Sequence, residues 1–155
     1  MSEQVPATET QVEAAEFETG IDGPLVGIVM GSESDRATME KAGSELEERG
    51  ISFELQVMSA HRSPDLVATY SKEARSRGLR VIIAGAGLSA ALPGVVAAHT
   101  DLPVIGVPLA AKSGVMNGLD ALLSVAQMPP GVPVACVGVD NARNAAVLAA
   151  RILGA

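Results

Sequence analysis

Aromatic residues are nearly missing from this chain: of its 155 residues two are Phe, one is Tyr and none is Trp. Any core must therefore be assembled from Ala, Val, Leu, Ile and Met, a mix that suits a parallel sheet covered by helices. One cysteine is present, which excludes an intrachain disulfide and permits a reducing compartment. No run of 18 apolar residues occurs, so neither a membrane span nor a membrane partner is expected. The amino terminus lacks a basic region followed by an apolar stretch and is not read as a secretory signal. No Walker sequence is found, and the two histidines, His61 and His99, stand far apart. The expectation is no P-loop, no metal site and no cofactor.

Positive charge is missing from one segment. Residues 1–23 carry Glu3, Glu9, Glu13, Glu16, Glu18 and Asp22 with no Lys or Arg, which leaves 12 acids against 11 basic residues in the rest. The net charge of −7 thus sits almost wholly at the amino end, and residues 1–23 read as an acidic, flexible tail. Residues 24–155 read as a single α/β catalytic domain, long enough to bury roughly 70% of its unfolded surface. The absence of a basic patch, together with the scarcity of aromatics, argues against a nucleic-acid partner. What is abundant is apolar: 48% of residues are hydrophobic and mean hydropathy is +0.31. Disorder throughout is excluded.

From Pro24 onward the pattern repeats as apolar run, loop and helical segment. The runs 25–30, 53–58, 80–84, 103–108 and 132–139 read as strands. Helical segments fall at about 35–49, from 64 to about 77, up to His99, at about 117–127 and over 142–153, with Gly50 and Gly78 as stops. Strict alternation implies a parallel sheet with right-handed crossovers. The expected architecture is a three-layer α/β/α sandwich around a five-stranded, flavodoxin-like parallel sheet. In such sheets ligands bind beyond the carboxyl ends of the strands, which names the loops that matter.

The first loop, Gly31-Ser32-Glu33-Ser34-Asp35, offers hydroxyls and free N–H groups at a helix start, a ready anion site. Equally, Ser34 could serve only as a cap, with Asp35 complementing the helix dipole. The second, Ser59-Ala60-His61-Arg62-Ser63-Pro64, carries a histidine at a strand end. An imidazole titrates near neutrality and suits proton transfer, and the adjacent guanidinium can grip phosphate bidentately. An incidental surface pair is the competing reading. The third loop, 85–94, fits the GxGxxA dinucleotide pattern, yet no acid closes the next strand. Close approach of backbone to a flat ligand, or helix–sheet packing, explains its small residues as well. The loop 111–120 could cover a site or simply be solvated. His99, near a helix end, reads as structural, and Cys136, inside an apolar strand, as core.

With these residues assembled, the chain resembles the 5-(carboxyamino)imidazole ribonucleotide mutase / aminoimidazole ribonucleotide carboxylase family from about Val26 to Leu153. The resemblance is carried by the joint order of 30–35 (MGSESD), 59–64 (SAHRSP), 84–87 (AGAG), 92–94 (LPG) and 127–131 (QMPPG). It implies a cytoplasmic enzyme of purine biosynthesis acting on a small-molecule ribonucleotide without metal or cofactor, assembled as a homo-octamer with sites at subunit contacts. Carried over by position, it implies that Ser32 and Asp35 contact the ribose phosphate portion and that Arg62 holds the phosphate. His61 would be the general acid/base. Gly87, Ser89 and Ala90 would line the imidazole and carboxylate pocket, and Ser34, Ser59, Ala60 and Leu92 would complete the substrate-binding set.

The reaction it implies moves a carboxyl group from an exocyclic nitrogen to a ring carbon through transient carbon dioxide. The mutase type usually has a second histidine in the third loop, where this chain has Ala91. Leu88-Ser89 is similar to the direct carboxylase type, whereas Arg62 is similar to the mutase type. Direct carboxylation of aminoimidazole ribonucleotide is therefore the alternative activity. A non-catalytic nucleotide-binding domain and, more weakly, a dinucleotide-dependent reductase are readings of other classes.

Overall fold

Val26–Met30 is apolar at every position but Gly27 and is buried along its whole length, as a central strand covered on both faces must be. In the computed structural model, which describes residues 23–155, this strand (β1) leads a strict alternation. It continues with α1 (Arg36–Glu48), β2 (Phe53–Val57), α2 (Pro64–Glu73), β3 (Val81–Gly87) and α3 (Leu92–His99). Then come β4 (Val104–Leu109), α4 (Leu119–Ala126), β5 (Ala135–Cys136) and α5 (Ala142–Leu153), with short 3-10 turns at Glu33–Asp35 and Met116–Gly118. Sheet order is β2-β1-β3-β4-β5 and every pairing is parallel, the flavodoxin-like order expected. The acidic stretch at residues 1–23 lies outside the described residues except for Gly23.

Two hydrophobic clusters sandwich the sheet. Val26, Ile28 and Met30 point to α1 and α5, where they meet Met39, Ala42, Leu46 and the five-alanine face Ala142, Ala145, Ala146, Ala149 and Ala150. Val29, Ile82 and Ala84 point the other way, towards Leu66, Val67 and Tyr70 of α2, Val96 of α3 and Val125 of α4. Alternate residues of one strand thus serve opposite layers, and each fully buried Leu or Ile contributes roughly 1.5–3 kcal/mol. Gly50 and Gly154 take left-handed backbone and end α1 and α5, with Ile51 N–H and Ala155 N–H returning to Leu46 O and Ala150 O at 3.0 and 2.9 Å. No helix among the described residues is long and apolar enough to cross a membrane.

Three differences from the sequence reading have physical causes. The fifth strand, expected over 132–139, keeps ladder geometry only at Ala135–Cys136. Pro133 has no N–H to give, and Val132 N–H turns back to Pro129 O instead. Cys136 is exposed rather than core, because this short strand is the outer edge of the sheet. Finally, α2 stops at Glu73 rather than near 77, and the next turns carry Arg77 into the interior.

That arginine belongs to a buried ionic cluster. Arg77 is 4% exposed and clasps Glu54 of β2, 9% exposed, through Nη2···Oε1 at 2.5 Å and Nη1···Oε2 at 3.2 Å. The Tyr70 hydroxyl donates to the same Glu54 Oε1 at 2.7 Å, and the guanidinium carbon lies 4.9 Å from the Tyr70 ring centre. Gly27 makes room for this tyrosine, since a Cβ there would overlap its hydroxyl. Burial, reinforced by Glu54, holds the Tyr70 phenol well above its usual pKa, so it is the donor in this contact. Arg77→Met leaves the Glu54 carboxylate buried without its cation and is expected to destabilise the fold by about 3–5 kcal/mol in urea unfolding. Replacing both members, Glu54→Leu with Arg77→Met, should cost clearly less, because no buried charge is then stranded.

Candidate functional site

Parallel pairing brings the carboxyl ends of β2, β1 and β3 to one level. Beyond the strand ends, Met58 N–H donates to Met30 O at 2.8 Å and Gly31 N–H donates to Gly85 O at 3.2 Å. These bonds extend the ladder by one residue and launch three loops from the same edge. The Gly31–Asp35 loop leaves β1, the Ser59–Pro64 loop follows β2, and the Leu88–Ala91 loop follows β3.

In the first loop the cap is Ser32 rather than Ser34. The Ser32 Oγ accepts the Ser34 N–H at 3.3 Å and lies 3.0 Å from the Ser34 hydroxyl, while Ser32 O accepts Asp35 N–H at 3.0 Å. Asp35 begins α1 without a side-chain capping bond. Its carboxyl is raised above the usual range chiefly by burial, against a stabilising Ser32 backbone contact, with a further upward push from the Asp140 carboxylate. Glu33 is turned away into a bidentate pair with Arg36 at 2.7 and 3.0 Å.

The second loop is a tight turn stitched by Ser59. Its Oγ accepts Arg62 N–H at 3.2 Å and its carbonyl accepts Ser63 N–H at 2.8 Å. The turn leaves His61 and Arg62 exposed, with Pro64 opening α2 at a position where no N–H is needed. Ser59 acts on the turn through these bonds, and Arg62 forms no ion pair among the described residues.

In the third loop Leu88 adopts left-handed backbone, φ 56°, and Ala90 N–H closes onto Leu88 O at 2.9 Å. Gly87 is hemmed in: a Cβ there would lie 3.1 Å from both Ala111 Cβ and Leu109 O. Gly85 answers the dinucleotide pattern differently, since a Cβ would overlap the Met39 side chain. That glycine lets α1 pack on the sheet, which accounts for it without a pyrophosphate.

A cavity of about 400 Å³ joins the second and third loops. It is lined by His61, by Ser89, Ala90 and Ala91 of the third loop, by Gly94, Val95, Ala98 and His99 of α3, and by Ser124 and Met128. His61 thus lines the same space as Ser89 and Ala90. Ser32, Ser34, Asp35, Ser59, Ala60, Arg62 and Gly87 do not line this cavity. Leu92 is buried in the core, where its side chain packs rather than faces a ligand.

The sequence reads His99 as structural only. Its Nδ1 does contact Val95 O at 2.9 Å, and its ring also lines the cavity that His61 enters. The spacing of Ala91, which caps α3, with residues 95 and 99 on it is that of one helix face, the signal available for this. Among the described residues no group of three or more His, Cys, Asp or Glu side chains is placed to hold a metal ion.

Comparison with known proteins bears on this arrangement. The sequence profile of the AIR carboxylase family matches residues 25–155. An N5-carboxyaminoimidazole ribonucleotide mutase of Pyrococcus horikoshii is 58% identical over 131 residues, which cover 84% of this chain and 73% of the relative. A phosphoribosylaminoimidazole carboxylase of Schizosaccharomyces pombe is 55% identical over 133 residues, 86% of this chain but 24% of that longer protein. The crystal structure of Treponema denticola PurE superposes with a TM-score of 0.74 at 38% identity, covering 84% of this chain and 80% of that one.

Asp35 yields a stability prediction. Because its folded-state pKa lies above its unfolded value, the folded state binds the proton more tightly. That contribution is fully present at acid pH and is lost as pH rises through the folded pKa. Asp35→Asn should therefore raise the melting temperature at pH 7 and flatten its pH dependence across the carboxylate range, as read by thermal melts from pH 4 to 8.

Proposed function

The chain belongs to the AIR carboxylase family, and from that premise we propose that His61 is the general acid/base of its carboxyl transfer. It is an enzyme of purine biosynthesis. The main reading of its activity is N5-carboxyaminoimidazole ribonucleotide mutase, with phosphoribosylaminoimidazole carboxylase as the alternative. The observation that carries the assignment is the shared cavity: His61 of one strand-tip turn and the small residues Ser89, Ala90 and Ala91 of another line the same space.

The chemistry needs one proton carrier and a confined space. Protonation of the exocyclic nitrogen by the His61 imidazolium accompanies cleavage of its bond to the carboxylate carbon and frees carbon dioxide. The ring carbon, made nucleophilic by the amino group, then attacks that carbon dioxide. The proton on this carbon returns to His61, which closes the cycle with no net change in the enzyme. Retention of carbon dioxide against Ala90 and Ala91 makes recapture effectively intramolecular, an advantage of about 7–11 kcal/mol at most. Backbone N–H groups of the Leu88–Ala91 turn are suited to stabilise the passing charge.

Arg62 supports a phosphate-holding role, since it is exposed at the same turn and forms no ion pair among the described residues. Ser32 and Asp35 complete the ribose phosphate end in this reading. Ser34, Ser59, Ala60, Gly87, Ser89, Ala90 and Leu92 contribute backbone or small side chains around the ligand. We extend the proposal to a cytoplasmic homo-octamer. Exposed apolar side chains at Val115, Met116 and Leu123, and an outer strand exposed at both of its residues, support association with further copies.

Two measurements test this. His61→Asn is expected to bind the ribonucleotide within a few fold of wild type while turnover falls by roughly 10²–10⁴. Arg62→Ala should mainly raise KM, and an exchange of these two phenotypes overturns the roles. The Leu88-Ser89 pair and the carboxylase relative favour the second activity, so each substrate is to be supplied without ATP at low bicarbonate. Product from the carboxyamino nucleotide alone identifies the mutase. Product only from aminoimidazole ribonucleotide with added carbon dioxide identifies the carboxylase.

A further inference from the structure

The segment 110–118, which links β4 to α4, makes a closed excursion whose two ends meet at one point. Gly118, at its exit, packs so closely that a Cβ would lie 2.9 Å from Val139 Cγ1 and 3.3 Å from the Cα and Cβ of Ala110. Its entry is held by the next residue of the same turn, because Asp140 Oδ1 accepts the Ala110 N–H at 2.9 Å. Asp140 also donates its own N–H to Pro108 O at 2.8 Å. It therefore bonds on both sides of Leu109, continuing a ladder that β5 itself abandons after two residues.

Holding these two bonds demands unusual backbone. Asp140 sits at φ 57°, a conformation that Asn, Asp and Gly tolerate far better than other residues. Within the excursion Met116, Asn117 and Gly118 are all left-handed, at φ 50°, 54° and 97°. Such a run persists only when its surroundings over-determine it. The brace inside is Asp120, whose Oδ2 accepts Val115 N–H at 3.0 Å, and the brace at the neck is Asp140.

The neck matters because of what it touches. Leu109 pairs with Gly87 in the sheet, and Ala111 lies against Gly87 so tightly that a Cβ would sit 3.1 Å from Ala111 Cβ. On its other side the Asp140 charge reaches the carboxyl of Asp35. We propose that Asp140 is a positioning residue for the carboxyl transfer: its carboxylate pins the neck of the 110–118 segment against the Gly87 turn and so sets the wall of the substrate site. This rests on the reading of the Gly87 and Asp35 turns as substrate-binding.

The test compares Asp140→Asn with Asp140→Gly. Both accept left-handed backbone, but only Asn retains an oxygen that can receive the Ala110 N–H. With the carboxyamino ribonucleotide as substrate, Asp140→Asn is expected to keep KM and kcat within about twofold of wild type. Asp140→Gly is expected to raise KM about tenfold, the loss of the hydrogen bond to the Ala110 N–H, with a smaller effect on kcat. Equal KM values for Asp140→Gly and wild type overturn the proposal, and so does an Asn variant as impaired as the Gly variant.

Hydrogen exchange on the unaltered protein gives a second readout that needs no folded variant. The Ala110 amide should exchange far more slowly than an open-loop amide, and exchange at the open rate also overturns the proposal. A wild-type chain inactive on both ribonucleotides would instead defeat the functional reading, an outcome separate from either variant comparison.

Discussion

Two backbone hydrogen bonds beyond the last residue of β1, Met58 N–H to Met30 O and Gly31 N–H to Gly85 O, govern the arrangement of everything around the site. A parallel ladder places the carboxyl ends of neighbouring strands at one level, so loops separated by dozens of residues emerge together. Register is enforced from the core. Val26, Ile28 and Met30 fill the α1/α5 side while Val29 fills the other, and a slip by one residue would exchange those sets. It would also take Gly27 from beneath the Tyr70 hydroxyl, where no Cβ fits. The position of His61 relative to the Gly87 turn is thus a consequence of core packing.

Poverty in aromatics shapes the rest. Helices approach the sheet through small residues: Gly85 accepts the Met39 side chain, Gly106 accepts Val125, and α5 lays down five alanines. The cavity follows the same habit, with Ala90, Ala91, Gly94 and Ala98 leaving about 400 Å³ open between His61 and His99. The single tyrosine is committed to the Glu54–Arg77 cluster, none of which lines this cavity, and there it ties α2 to β2. The turn that carries His61 lies between those two elements.

Charge is distributed along the carboxyl edge rather than gathered at one point. Asp35, raised mainly by burial, stands on the α1 side, while the exposed Arg62 guanidinium stands beside His61. The 110–118 segment and the turn after β5 join the same edge through Asp140, whose main chain and side chain bond Pro108 and Ala110 where a shortened strand leaves the ladder unfinished.

Much of this was legible from residue order. Apolar runs alternating with helical periods specify a parallel sheet, Gly50 marks a helix end, and the motifs at 30–35, 59–64 and 84–87 mark the turns beyond three strands. These are local properties, set by backbone preference and by side-chain periods of two and 3.6. Contacts were decided elsewhere. Cys136 lies in an apolar run yet is exposed, because burial depends on having a neighbour and its strand is the outermost. His99 reaches the His61 cavity only because α3 runs along it, and Asp140 finds Ala110 only because β4 and the turn after β5 end side by side. Residue order set which segments would form strands, helices and turns; distances between residues far apart in the chain came from the packing of those segments on one another.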